Sequence, residues 1–263
     1  MKFRRQYIDL RGQKIWASRS KPLFGATESV VILHGGMSQS EGFDNKLAAA
    51  VKGFDVHSYD RAGHGRSPDQ PGSFHFEFQF NEAVAFLEDV VKEPAHLIGY
   101  SDGGIISLMV AINRPDLVKT IALIGANYHH DAGLPPIKPW QPDETERAKY
   151  SAFSPDAPET LDKKIKKMVK IWNSEPTLTK KDLKKIKCPT LVIAGDDDMM
   201  DIQHTNEIYE SIKNSRLAII PGSSHSIHKD QLNLLTTIIR QFLFHHEFPS
   251  TSMPVRRKKR EAL

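Results

Sequence analysis

The chain has 263 residues, of which 39% are hydrophobic and 26% charged. This composition is ordinary for a folded globular protein, and it excludes a collagen-like repeat, a disulfide-rich scaffold and a chain that is disordered throughout. The formal net charge of +4 equals the charge of residues 256–261 alone, so the rest of the chain is neutral. We expect residues 249–263 to form a basic, disordered tail, and we expect no binding to nucleic acid or to a membrane.

The residues after Met1 carry charges but lack the apolar stretch of a secretory signal, and no run approaches the ~18 to 20 apolar residues of a membrane helix. The single cysteine, Cys188, cannot form an intramolecular disulfide. Both features favour a cytoplasmic protein.

Short apolar runs rich in β-branched residues alternate with longer segments of helical periodicity. This alternation predicts an α/β fold with a mostly parallel, doubly wound sheet. Residues 2–9 and 14–18 flank a turn at Gly12 and predict an antiparallel hairpin at the edge of that sheet. The remaining strands are expected at residues 30–33, 56–59, 96–99, 120–124, 190–194 and 217–220, and helices at 78–91, 104–113 and 231–244.

About sixty residues separate the strand expected at 120–124 from the next one, which is more than a crossover requires. We expect residues 127–187 to form an inserted helical cap on a core of residues 1–126 and 188–248. One helical face of the cap carries Leu161, Ile165, Met168, Val169 and Trp172. The surrounding lysines are expected to form its solvated side: Lys163, Lys164, Lys166, Lys167 and Lys170.

The segment from Gly99 to Gly103 has the pattern G-x-S-x-G and lies between a predicted strand and a predicted helix. This context is typical of a nucleophile elbow, in which a sharp turn strains and exposes the serine. Glycine at both ends lets the strand and the helix approach closely. We therefore predict Ser101 as a nucleophile; a plain turn with a capping serine is the alternative.

A serine nucleophile requires a histidine base, and the base requires an acid that fixes its tautomer. In this architecture the expected order along the chain is serine, acid, histidine. Asp198 and His225 follow the last two predicted strands, so we predict a triad of Ser101, Asp198 and His225. The alternatives are His228 as the base, although it more simply opens the closing helix, and Asp196, Asp197 or Asp201 as the acid, although these suit turns and caps.

An oxyanion hole requires two backbone N–H donors. We expect one from Asp102 and the other from Gly36 or Met37, while His34 beside them is expected to be structural. Residues 60–67 lack the Lys-Ser/Thr of a P-loop, so we expect them to brace the site. The Asp102 carboxylate is expected either to interact with the helix N-terminus or to hold a substrate ammonium group.

These motifs together resemble the α/β-hydrolase superfamily from about residue 30 to residue 244. The resemblance is carried by His34-Gly35-Gly36, by residues 60–67, by the elbow, and by the loops of Asp198 and His225. The elbow with Gly104 and residues 124–127 is similar to the biphenyl hydrolase-like group, which includes valacyclovir hydrolase. This second resemblance implies cleavage of amino-acid esters, an acidic pocket residue that anchors the amine, and substrate contacts from Tyr100, Asp102 and Asn127.

We therefore expect a carboxylesterase-type serine hydrolase that cleaves small carboxylic esters through an acyl-enzyme, with amino-acid esters among the candidates. Its partner would be the small-molecule ester, and no metal or organic cofactor is expected. Thioester or carbon–carbon bond hydrolysis by the same triad is an alternative, and so is a ligand-binding signalling protein that retains the triad. Haloalkane dehalogenases and epoxide hydrolases are disfavoured because they carry aspartate where this chain has Ser101.

Overall fold

The computed structural model describes residues 1–22, 25, 28–133, 135–247 and 251–254. In these residues one sheet of eight strands has the order β1-β2-β4-β3-β5-β6-β7-β8. The hairpin of β1 and β2 lies at one edge and is antiparallel, as predicted; β2 also pairs antiparallel with β4, and the later pairs are parallel. The strands are β1 (Arg4–Leu10), β2 (Gln13–Ser20), β3 (Ser29–Leu33), β4 (Asp55–Tyr59), β5 (Ala95–Tyr100), β6 (Val118–Ile124), β7 (Thr190–Asp197) and β8 (Ser215–Ser224).

Helices cover both faces of the sheet. They are α1 (Ser40–Leu47), α2 (Phe76–Phe86), α3 (Asp102–Asn113), α4 (Glu144–Phe153), α5 (Leu161–Trp172), α6 (Lys180–Leu183), α7 (Ile202–Ser211), α8 (Ile227–Asp230) and α9 (Leu232–Phe244). The helix predicted at 78–91 is α2 followed by a wider π-helical turn at Leu87–Val91. Among the described helices, none has the length and hydrophobicity that a membrane crossing requires. The basic run predicted in the tail, residues 256–261, lies outside the described residues.

The central strands are buried on both faces, which explains their unbroken apolar runs. In β3, Val31 and Leu33 face the cluster that contains Phe86 of α2. Val30 and Ile32 face the opposite cluster, which contains α1 and α9. Successive side chains of a strand point to opposite faces, so this short run anchors both helical layers to the sheet.

We call residues 127–187 the cap; that they form a separate domain stays a prediction. The expected apolar face of α5 is buried, except that Trp172 is half-buried. The expectation of solvated lysines is wrong for Lys164, whose side chain is 2% exposed and donates to Asp156 Oδ2 at 2.6 Å and to the Gly63 carbonyl at 3.0 Å. Position 164 lies three residues after Leu161 and therefore within the buried stripe, where Asp156 neutralises it.

The loop of residues 60–67 braces the core beneath the site, as expected. The Asp60 carboxylate accepts hydrogen bonds from the Ser40 amide and hydroxyl, each at 2.7 Å, and from the Arg66 amide at 2.8 Å. Glu82 of α2 accepts one from the Ala62 amide at 3.0 Å. These carboxylates satisfy backbone donors that would otherwise be buried without partners.

Glu82 should make the stability of the protein depend on pH. Burial raises the pKa of its carboxyl group to about 7, although the Ala62 amide and the Arg61 charge oppose this. Between about pH 4.3, the ordinary pKa of glutamate, and about pH 7 the folded protein holds a proton that the unfolded chain has released. The free energy of unfolding should therefore fall as pH rises through this range, by about 4 kcal/mol in total.

The variant Glu82→Gln cannot ionise, so we expect it to lose less stability than the wild type when urea unfolding is compared at about pH 5 and about pH 8. Glu77→Gln, on the exposed side of the same helix, is the matched control and should behave like the wild type. The same decrease with pH in Glu82→Gln and in the wild type would contradict the prediction.

Candidate active site

Ser101 occupies a sharp turn between β5 and α3. Its backbone has φ 52° and ψ −117°, a conformation that strains any residue with a side chain. A Cβ atom on Gly99 would collide with the Gly103 carbonyl, and one on Gly103 would collide with the Leu33 carbonyl. The two glycines thus allow α3 to pack directly against β5 and β3, and this packing gives the geometry expected of a nucleophile elbow.

His225 and Asp198 meet at the carboxyl ends of β8 and β7. The Nδ1 atom of His225 lies 2.8 Å from Oδ1 of Asp198, which also accepts the Met200 amide at 3.1 Å. The Asp198 side chain is only 2% exposed. A carboxylate can only accept, so the proton lies on Nδ1 and leaves Nε2 able to take another.

Ser101 and His225 line one cavity of about 470 Å³. No hydrogen bond joins the Ser101 hydroxyl to the imidazole within the described part of the chain. Catalytic hydrogen bonds are often long before substrate binds, so the lack of this bond is compatible with a triad. The three side chains predicted as a triad therefore comprise one bonded pair and a serine that faces the same cavity.

The other acidic residues near Asp198 have different partners. Asp196 accepts the Ser223 amide at 3.0 Å, and Asp201 caps α7 through the Gln203 amide at 2.6 Å. Asp197 is exposed. Asp201 thus has the cap role that the sequence favoured, whereas Asp196 and Asp197 lie in β7 and not in a turn.

The sequence suggested that His228 opens the closing helix, and this expectation is wrong. His228 lies in the separate short helix α8, because Gln231 interrupts the helical backbone with φ −134° and ψ 49°. Its ring packs edge-on against Tyr100 and Phe43, with centroids 4.8 Å and 5.4 Å apart. Burial lowers the pKa of His228 to about 4, so the ring is neutral at physiological pH.

The loop expected to supply the second oxyanion donor is held from behind by a fully buried arginine. Arg61 donates to the carbonyl oxygens of His34 and Gly35, the latter at 3.1 Å. A trans peptide points its carbonyl and its N–H in opposite directions, so the Gly36 N–H is turned away from Arg61. Gly36 lines the cavity of Ser101, whereas Met37 lines a neighbouring one.

His34 is structural, as expected. Its Nδ1 donates to the Gly35 carbonyl at 2.7 Å, and its Nε2 accepts the Arg61 amide at 3.2 Å. Burial and the Arg61 charge hold the pKa of His34 well below its ordinary value. Both ring nitrogens are therefore occupied in holding the loop. Sequence analysis placed Arg61 in the bracing segment 60–67 but did not single it out, and the only signal was an arginine two residues after the buried strand β4.

The Asp102 carboxylate is 2% exposed and is shared between core and cap. Oδ1 accepts the indole N–H of Trp172 at 3.0 Å, and Oδ2 lies 3.8 Å from the Arg61 guanidinium. Burial raises the pKa of Asp102, while Arg61 and Trp172 oppose the rise. Oδ2 accepts no hydrogen bond from any described residue. Asp102 is thus a buried carboxylate next to Ser101, with Oδ1 hydrogen-bonded to Trp172 and Oδ2 paired with Arg61 without a hydrogen bond.

Tyr100 and Asn127, the other expected substrate contacts, also line the catalytic cavity. The Tyr100 ring packs against His225 with centroids 5.3 Å apart, and the Asn127 amide donates to the His129 carbonyl at 2.9 Å. Among the described lining residues there are three carboxylates, Asp102, Asp131 and Glu175, and no lysine or arginine. No cluster of His, Cys, Asp and Glu suited to a metal ion occurs in the described ranges.

Comparison with known proteins agrees with this geometry. The model of a family described as the alpha/beta hydrolase family matches residues 30–232. Serine hydrolase BPHL of Homo sapiens is 26% identical over 206 residues, which cover 73% of this chain and 69% of that protein. The (E)-2-((N-methylformamido)methylene)succinate hydrolase of Acinetobacter baylyi is 24% identical over 229 residues, which cover 77% of this chain and 85% of that protein.

The crystal structure of a serine hydrolase involved in carbazole degradation superposes with a TM-score of 0.76 at 16% identity, covering 92% of this chain and 99% of the other. The resemblance to the superfamily and to its biphenyl hydrolase-like group, inferred from the motifs, is confirmed by these matches. The chain belongs to the alpha/beta hydrolase family and is a hydrolase of that type.

Proposed function

We propose that the protein is a serine hydrolase that cleaves small carboxylic esters through an acyl-enzyme on Ser101. The observation that carries this proposal is the 2.8 Å hydrogen bond between His225 and Asp198 at the cavity that Ser101 lines. The similarity to a relative named a serine hydrolase supports it. Asp198 would stabilise the imidazolium that forms when His225 takes a proton.

In the proposed reaction, Nε2 of His225 removes the hydroxyl proton of Ser101 as Oγ attacks the ester carbonyl carbon. The resulting oxyanion accepts hydrogen bonds from the Asp102 amide, at the start of α3, and from the Gly36 amide, which Arg61 orients. The carbon–oxygen bond to the alcohol then breaks, and His225 returns its proton to the leaving oxygen. Water repeats the sequence on the acyl-enzyme and releases the acid.

Amino-acid esters are the substrates that we propose for this site. The cavity is lined by three carboxylates without a described lysine or arginine, so a substrate ammonium group would be stabilised there. Glu175 is committed to His75 and to the Phe76 amide, which its oxygens contact at 2.6 Å and 3.0 Å. We propose Asp102, whose Oδ2 accepts no hydrogen bond from a described residue and lies 3.8 Å from the Arg61 guanidinium, as the acceptor next to Ser101.

Hydrolysis of p-nitrophenyl acetate and butyrate tests the triad. We expect Ser101→Ala and Asp198→Asn each to lower kcat by about 10⁴-fold or more, because one removes the nucleophile and the other removes the acceptor that fixes the His225 tautomer. Asp197→Asn, at the exposed neighbouring position, is the control and should retain activity. Turnover that survives in Ser101→Ala would refute the proposal, and a slow single turnover with retained ligand would indicate a binding protein instead.

Paired esters of one size, with and without an α-amino group, test the role of Asp102. We expect Asp102→Asn to lower kcat/KM for the amino ester about tenfold to a hundredfold more than for the neutral ester, since a charged hydrogen bond contributes about 1.5 to 3 kcal/mol. The neutral ester serves as the internal control for damage to the elbow. If both esters lose activity equally, Asp102 does not bind the ammonium group.

A further inference from the structure

A second cavity, of about 500 Å³, lies between the cap and the core. Among the described residues it shares no lining residue with the catalytic cavity. The loop of Met37 forms part of its core side, and α4 with the start of α5 forms much of its cap side. Its walls include Trp140, Tyr150, Phe153, Leu161 and Ile165. The volume and the aromatic and aliphatic walls suit a small amphipathic ligand.

The charges at this second cavity favour an anion. Lys149 and Lys229 line it and are exposed at its edge. Glu146, its acidic residue, is already occupied, because its oxygens accept the Asp143 amide at 3.0 Å and the Trp140 indole N–H at 3.3 Å. The lysine salt bridges of the described residues are formed by Lys119, Lys164, Lys167, Lys180 and Lys185, so neither cavity lysine takes part in one, although the Lys229 charge interacts with the neighbouring Asp230 carboxylate.

We propose that the second cavity binds a small anionic amphiphile with a carboxylate head, such as a medium-chain fatty acid. The chain would pack on the aromatic and aliphatic walls, and the carboxylate would lie at Lys149 and Lys229. This preference is opposite to that of the catalytic cavity, whose charged lining residues include Asp102, Asp131 and Glu175. The difference in sign assigns the two cavities to different ligands.

Contacts connect the second cavity to the candidate oxyanion hole. Met37, whose side chain lines the second cavity, directly follows Gly36. Trp140 lies nearly parallel to Trp172, with ring centroids 6.5 Å apart, and Trp172 donates to Asp102. A ligand in the second cavity would therefore contact Met37, the neighbour of one proposed oxyanion donor, and Trp140, which is connected to Asp102 through Trp172.

The test is calorimetric titration of the full chain carrying Ser101→Ala, which separates binding from turnover. We expect decanoate to bind at one site per chain, and butanoate to bind at least about tenfold more weakly because each methylene buried contributes to affinity. Decyltrimethylammonium, with the same chain and the opposite charge, should not bind there. Pretreating the wild type with a phosphonate that reacts with serine should leave decanoate binding intact.

Charge-reversal variants locate the site. The double variant Lys149→Glu/Lys229→Glu should weaken decanoate binding at least about tenfold. The matched control is Lys163→Glu/Lys166→Glu, which reverses two exposed cap lysines outside the cavity and should bind like the parent. Equal losses in both double variants, equal binding of the cationic amphiphile, or loss of binding after phosphonate treatment would each overturn the proposal. Apart from the phosphonate treatment, which requires Ser101 to be reactive, none of these outcomes depends on whether the protein cleaves esters.

Discussion

The site depends on one strained residue. Ser101 holds a backbone conformation that costs a side-chain-bearing residue about 1 to 3 kcal/mol, and such a conformation persists only where its surroundings allow no other. Here the constraint comes from both sides: the Ser101 amide donates to the Ile124 carbonyl at 2.8 Å, and the backbone of α3 lies in direct contact with β5 and β3 at Gly99 and Gly103. Ser101, the proposed nucleophile, is thereby fixed at the start of a buried helix, where the helix dipole can stabilise developing negative charge.

A buried guanidinium organises the opposite side of the site. Burying Arg61 lowers its pKa, and the carboxylates of Asp102 and Glu82 act against that shift. A buried charge is tolerated only when its hydrogen bonds and its counter-charge are supplied together. The carbonyls of His34 and Gly35 supply the hydrogen bonds, and Asp102 supplies the nearest negative charge. One residue thus links the orientation of the oxyanion loop to the carboxylate beside the nucleophile.

Local sequence patterns predicted the features that residues close together in the sequence determine. Apolar runs located the strands, and the glycine spacing located the elbow. The predicted strands ended too early where backbone pairing continues past the apolar residues. Asp197 and Ser224, for example, still pair in β7 and β8. The patterns also failed for contacts between distant segments. Nothing near Lys164 in the sequence indicates its bond to Gly63, 101 residues away, and nothing near Asp102 indicates Trp172, 70 residues away.

The two cap helices are attached to the core in different ways. Helix α5 is anchored at both ends, by the buried Lys164 and by the bond from Trp172 to Asp102. Pulling it away would break the hydrogen bonds from Lys164 to the Gly63 carbonyl and from Trp172 to Asp102, and a hydrogen bond that involves a charged group contributes about 1.5 to 3 kcal/mol. Helix α4 buries none of its residues, although Lys149 and Phe153 line the second cavity. Displacing α4 therefore exposes less buried surface than displacing α5.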